Sequence, residues 1–278
     1  MKFIKFLRFD LRNGVGAAWK KYLIAIAFFV FIGRDFLSRC AAFEPKQDFT
    51  LGDFSAFFFA GMREYVPSIY EPFRFPALWV LMYALLLYIT LYYTDDDMHG
   101  FGQHTMLHSG GRGAWWLSKC AWDIICVLLF FSLAWCVMLI VAFCSGHRLS
   151  LEISPYMELF LEAGDDCAPA AEWALKLELL ALPPLVAVAL SLFQMTLSLF
   201  IKPVFSYIFS LTYLLSSVYY VSPFLLGNYA MVLRSNQIID NGVSPVVGVI
   251  YALAVGVGSA AVGYIKFRRH NILGKEDF

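Results

Sequence analysis

The chain has 278 residues, 60% of them apolar and only 15% charged, with 21 basic residues balanced by 21 acidic ones. Ordinary soluble domains hold about 45–50% apolar and about 25% charged residues, so an integral membrane protein is expected. Divided among several spans, this length leaves no room for a separate soluble catalytic domain.

Lys2, Lys5, Arg8 and Arg12 follow one another at helical steps, with Phe3, Ile4, Leu7 and Leu11 on the other side. That pattern predicts a helix over residues 1–18 lying in the membrane interface, its cations toward anionic headgroups. The first span is expected at about 19–36, with Arg34 and Asp35 at its outer end. No small-residue cleavage site closes this apolar run, so no cleavable signal peptide is expected. Further on, Thr50-Leu51-Gly52-Asp53 reads as a capping box opening a short helix with Phe54, Phe57 and Phe58, expected against the outer face of the bundle.

The second span is expected at 76–93, with Pro76 at a first-turn position where its missing N–H costs nothing. A polar stretch, 95–119, then separates two apolar runs and must join two spans. Residues 102–108 have room for about two helical turns before Gly110 and Gly111 stop them. Trp115 and Trp116 are expected at the lipid–water boundary, the depth that amphipathic rings prefer. The third span is expected at 121–144, with Asp123 pairing to Lys119 four residues earlier.

Ser154-Pro155 opens a short helix in an acidic outer loop, ending at Gly164. The fourth span, 179–200, contains Pro183-Pro184, which must break its hydrogen-bond ladder. After a tight turn at Lys202-Pro203, the fifth span is expected at 203–221. Residues 223–233 are too apolar for a free loop and are expected as a re-entrant or interfacial helix packed on protein. Ser244-Pro245 caps the sixth span, 245–265. Thirteen of the 21 lysines and arginines then fall on the side holding both tails, which predicts cytoplasmic termini in the cell membrane.

Enzyme chemistry has no constellation to rest on. His104 and His108 stand four apart but lack a third ligand beyond Asp95–Asp97 and His99, so no metal site is expected. Nucleophile-elbow, zinc-protease and phosphate-loop motifs are missing, so any ATP hydrolysis belongs to another polypeptide. The cysteines are read as apolar packers, and pairing of Cys40 with Cys167 is left open. Ser206, Ser210, Tyr213, Ser217 and Tyr220 form one stripe on the fifth span, a substrate path, a subunit interface or internal packing. Ser191, Gln194 and Ser198 do the same on the fourth. On the sixth, Gly248, Ala252, Gly256 and Ala260 form a small-residue ridge for close helix contact. No charged residue is expected deep in a span, which speaks against ion coupling.

Leu107-His108-Ser109 through Arg112, followed by Trp115-Trp116-Leu117-Ser118-Lys119, resembles a signature loop of ABC-2 type transporter permeases of Gram-positive bacteria. The stretch from Gly227-Asn228-Tyr229 to Arg234-Ser235 and the tail 267–273 are similar to the same group, with departures at His108, Gly111 and Asn271. The resemblance implies an all-α membrane protein of six spans with an N-terminal elbow helix and short outer lateral helices. It further implies an exporter subunit that works as a homo- or heterodimer in the bilayer with separately encoded ATPases, without nucleic acid. ATP and Mg would sit on those ATPases, and this chain would carry no cofactor. Gly102, Met106, Leu107, His108, Arg112, Trp115 and Trp116 would then form the ATPase-coupling loop. The alternative is an ATP-independent immunity or sensor protein that binds a peptide at its outer loops.

Overall fold

Apolar surroundings leave backbone groups no partner but one another, and helices satisfy them within a single segment. The computed structural model describes residues 2–42, 48–65, 73–100, 102, 111–155, 157, 172–239 and 242–269. These residues are helical apart from turns, connecting loops and two isolated β-bridges, Thr50 with Arg148 and Ser235 with Val243. The helices are α1 Lys2–Asp10, α2 Gly16–Cys40, α3 Leu51–Phe58, α4 Ala77–Thr90 and α5 Tyr93–His99. They continue with α6 Arg112–Cys144, α7 Glu172–Lys176, α8 Leu182–Leu197, α9 Pro203–Tyr219 and α10 Pro245–Arg269. Five runs are long and apolar enough to cross a membrane: Lys2–Cys40, Ala77–His99, Arg112–Cys144, Trp173–Leu197 and Pro245–Arg268. This is a multi-pass membrane protein. The expected fifth span is a shorter apolar helix, Pro203–Tyr219.

The N-terminal segment corrects the expectation of a separate interfacial helix. α1 enters α2 through one π-helical turn, Leu11–Val15, with no non-helical residue between them. Phe6, Asp10, Gly14, Ala18, Tyr22, Ala25 and Phe29 are buried at steps of three and four, a single stripe that continues from α1 into α2. At Gly14 a Cβ would collide with Trp122 and Tyr93, so glycine is what permits the close approach to α6. Asp35 pairs with Arg39 at 3.1 Å rather than with Arg34.

The polar stretch between the second and third spans is shorter than 95–119. α5 carries the chain to His99 and α6 begins at Arg112, nine residues before the apolar run starts. The chain between α4 and α5 turns at Leu91 and Tyr92. A π-helical turn, Leu177–Ala181, runs directly into Pro183-Pro184 at the start of α8, so the regular ladder is interrupted at the prolines as expected. α8 and α10 pack closely along the predicted ridge: Ala252 is 1% exposed, and an added Cβ at Gly256 would lie 3.7 Å from Ala189 Cα.

The end of the bundle opposite the termini is tied by backbone bonds. The Thr50 capping box is present, with Asp53 N donating to Thr50 Oγ1 at 3.1 Å and Thr50 N to Asp53 Oδ2 at 2.8 Å. α3 packs against the bundle at this end, and Asp53 and Phe54 have no exposed surface. Ser154 N donates to Asp53 Oδ1 at 2.8 Å, so one carboxylate joins two connections. Residues 223–233 form short 3-10 turns, Leu226–Ala230 and Val232–Arg234, rather than a helix. They are packed as expected at Leu226 and Met231, but Phe224 is 73% exposed. Cys120 and Cys126 are buried packers, whereas Cys136 and Cys144 face outward. Cys40 is buried, and Cys167 and the 158–164 part of the helix expected after Ser154 lie outside the described residues.

Candidate functional site

The strongest concentration of charge is at the end where α1 starts and α10 stops. Lys119, on the second turn of α6, has no exposed surface. Its Nζ lies 2.5 Å from Asp10 Oδ1 of α1 and 2.6 Å from Asp97 Oδ2 of α5. A buried ammonium is tolerated only where acceptors satisfy it, and here two carboxylates do. The carboxylates are themselves held. Tyr93 Oη donates to Asp10 Oδ1 at 2.9 Å, Ser118 Oγ donates to Asp10 Oδ2, and Trp115 Nε1 donates to Asp97 Oδ2 at 2.9 Å. The Tyr93 and Trp115 rings flank Lys119 Nζ at 4.4 and 5.0 Å from their centroids. Two carboxylates thus surround one ammonium in a buried network.

An apolar half completes the junction. Trp115 stacks on Phe267 of α10 at 4.7 Å with planes 17° apart, and Trp116 Nε1 donates to Ala260 O at 2.9 Å. Phe6 of α1 and Leu192 and Met195 of α8 fill the same cluster. Arg112 Nη1 donates to Arg268 O at 3.3 Å. The residues on both sides of the loop 100–111 are therefore locked to α1, α8 and α10.

This placement corrects the reading of the tryptophans as lipid-boundary anchors: Trp115 and Trp116 are 1% and 0% exposed. Gly102 is helical and buried, with Asp97 where its side chain would stand. Met106, Leu107 and His108, with His104, lie outside the described residues. Asp123 does not pair with Lys119. It is fully buried within α6, where Ser191 Oγ donates to Asp123 Oδ1 at 2.7 Å, so a span does hold a buried charged residue. Sequence reading missed Asp10, although it is the sole acidic residue before Asp35 in an otherwise basic helix.

The fifth-span stripe is divided. Ser206, Ser210 and Ser217 have no exposed surface, and Ser206 and Ser217 bond to carbonyls of their own helix. Tyr213 Oη donates to Phe224 O at 2.7 Å, while Tyr220 is 62% exposed. The serines thus pack inside the bundle. On α8, Gln194 Nε2 donates to Leu87 O at 3.0 Å and Ser198 Oγ to Met195 O at 2.7 Å.

The opposite end has its own buried cation. Arg234 is 0% exposed and donates to Met62 O at 3.0 Å, Val218 O at 2.7 Å and Tyr220 O at 3.0 Å, as well as to Ser217 O and Asn228 Oδ1. α9 ends at Tyr219, so the guanidinium caps carbonyls that the last turn leaves free, at the negative end of the helix dipole. Burial lowers its pKa to about 10, which keeps it charged at neutral pH. Among the described residues no group of three or more His, Cys, Asp or Glu is placed to hold a metal ion.

No curated protein and no solved structure matches the chain. One family matches residues 22–273, a range that includes every helix from α4 onward, Lys119 and Asp97 of the junction, and Arg234. With that match over most of its length, the chain belongs to the family described as Protein of unknown function (DUF2705).

Proposed function

We propose that this chain is the membrane subunit of an ATP-driven exporter whose ATPase is a separate polypeptide docking on the loop 100–111. One observation carries the reading. Trp115 Nε1 bonds Asp97 Oδ2 across the base of that loop, while Lys119 fastens the same base to Asp10. Force applied to the loop would reach α1, α5, α6 and α10 together, because their contacts at the junction are short and buried. Six spans, with α9 as the fifth, and cytoplasmic tails put the loop on the ATP side of the membrane. A dimer with a second permease subunit follows from the same resemblance.

The test is substitution of Met106 and Leu107 together by aspartate, since buried apolar anchors dominate such interfaces. The variant is expected to insert normally and to lose copurification of the ATPase, or to lose ATP-dependent export while still binding it. Unchanged binding and export would refute the coupling role.

A further inference from the structure

Between α8 and α10 runs an open groove of about 400 Å³, lined by Phe193, Thr196, Phe200, Val255, Gly258 and Val262 among others. The two helices are fixed side by side there, with Thr196 Oγ1 donating to Ser259 O at 2.9 Å. That bond occupies the hydroxyl of Thr196, and the remaining wall is almost wholly hydrocarbon. A Cβ at Gly258 would meet no atom within 4 Å, so the slot is open at this glycine. The groove residues Phe193 to Leu197 run roughly 6 Å along α8, and the turn after it extends the slot to Phe200. Such an elongated apolar slot suits a stretch of alkyl chain better than a compact ligand.

The Phe200 end is basic. Lys266 Nζ lies 4.9 Å from the Phe200 ring centroid, and the exposed Lys202 follows two residues after Phe200. α8, α9 and α10 contain no aspartate or glutamate anywhere in their sequences. Neither lysine therefore has a carboxylate of those helices to neutralise it. Two cations at one end of an apolar slot complement a molecule with a negative head and a hydrocarbon tail.

We propose that the groove binds one acyl chain of an anionic phospholipid, with its phosphate between Lys202 and Lys266. The proposal rests on the membrane character of the chain and is independent of the transport reading. Native mass spectrometry of the full chain, released from detergent after titration with phosphatidylglycerol or phosphatidylcholine of matched acyl chains, tests it. Phosphatidylglycerol is expected to bind more tightly. Lys202→Gln with Lys266→Gln should weaken it roughly fivefold per lysine and leave phosphatidylcholine unchanged. Gly258→Leu adds bulk to the slot at a position where a Cβ meets no atom, and should weaken both lipids. Equal affinity of the two lipids, an unaltered preference in the double lysine variant, or full lipid retention by folded Gly258→Leu would each overturn the proposal. High-yield disulfide cross-linking of Gly258→Cys between two chains would also overturn it, since a second copy would then cover the groove.

Discussion

Lys119 illustrates how one buried charge organises several helices. Its ammonium joins α1, α5 and α6 through Asp10 and Asp97, both nearly as buried as itself. The two kinds of partner are not equivalent. Lys119→Met would leave two buried carboxylates without their cation, a loss of about 3–5 kcal/mol. Asp10→Asn would leave the Lys119–Asp97 pair in place and keep one acceptor oxygen for Tyr93, its amide N–H donating to Ser118 Oγ instead, so its cost is expected to be clearly smaller. Thermal unfolding of the two variants in detergent measures the difference. A smaller loss for Lys119→Met than for Asp10→Asn would contradict the charge balance described for the junction. Arg234 at the other end works differently, since its bonds go to carbonyls and to an amide rather than to carboxylates.

At the scale of elements, the positions of glycine decide where helices meet and where they leave space. At Gly263 the Trp116 ring occupies the volume of a side chain, and the Trp116–Ala260 hydrogen bond depends on that fit. At Gly258, five residues earlier on the same helix, nothing is near. Gly263→Leu should therefore force α6 and α10 apart and cost about 1–3 kcal/mol or more, while Gly258→Leu should leave the melting temperature nearly unchanged. Melting both variants in the same detergent provides the comparison, and equal effects would refute the packing described for α10. The length of α9 also matters at this scale. Its 17 residues cover roughly 26 Å, a little less than the hydrocarbon thickness of about 30 Å. The Arg234 cap keeps its last carbonyls satisfied where the helix stops short.

For the whole molecule, the decisive fact is that α1 and the last turns of α10 lie at the same end of the bundle. Asp10 of α1 meets Lys119, and Phe267 of α10 meets Trp115, one turn away on the same helix. An even number of crossings would satisfy this, and the proposed topology reaches it by counting the shorter apolar helix α9 beside the five longer runs. Reporter domains fused before Met1 and after Phe278 are expected to report the same side, and the excess of lysine and arginine there predicts that both report cytoplasm. Opposite signals from the two fusions would eliminate the even-numbered topology.

The sequence by itself determined the membrane class, the approximate position of every long apolar helix, the Thr50 capping box and the small-residue contact of α10. Each of these depends on composition, run length or spacing within one segment, and such local patterns can be read without knowing any partner. The coupling-loop assignment rests on a resemblance, and its tryptophans were misplaced at the lipid boundary. What buries Trp115 and Trp116 is Phe267, Ala260 and Asp97, which lie 18 to 152 residues away along the chain. The choice of Asp10 and Asp97, rather than Asp123, as partners of Lys119 has the same origin. An i, i+4 spacing permits the Lys119–Asp123 pair, but the tertiary structure turns Asp123 toward Ser191 of α8. Which charges pair inside a bundle depends on which helices touch, and only the tertiary structure decides that.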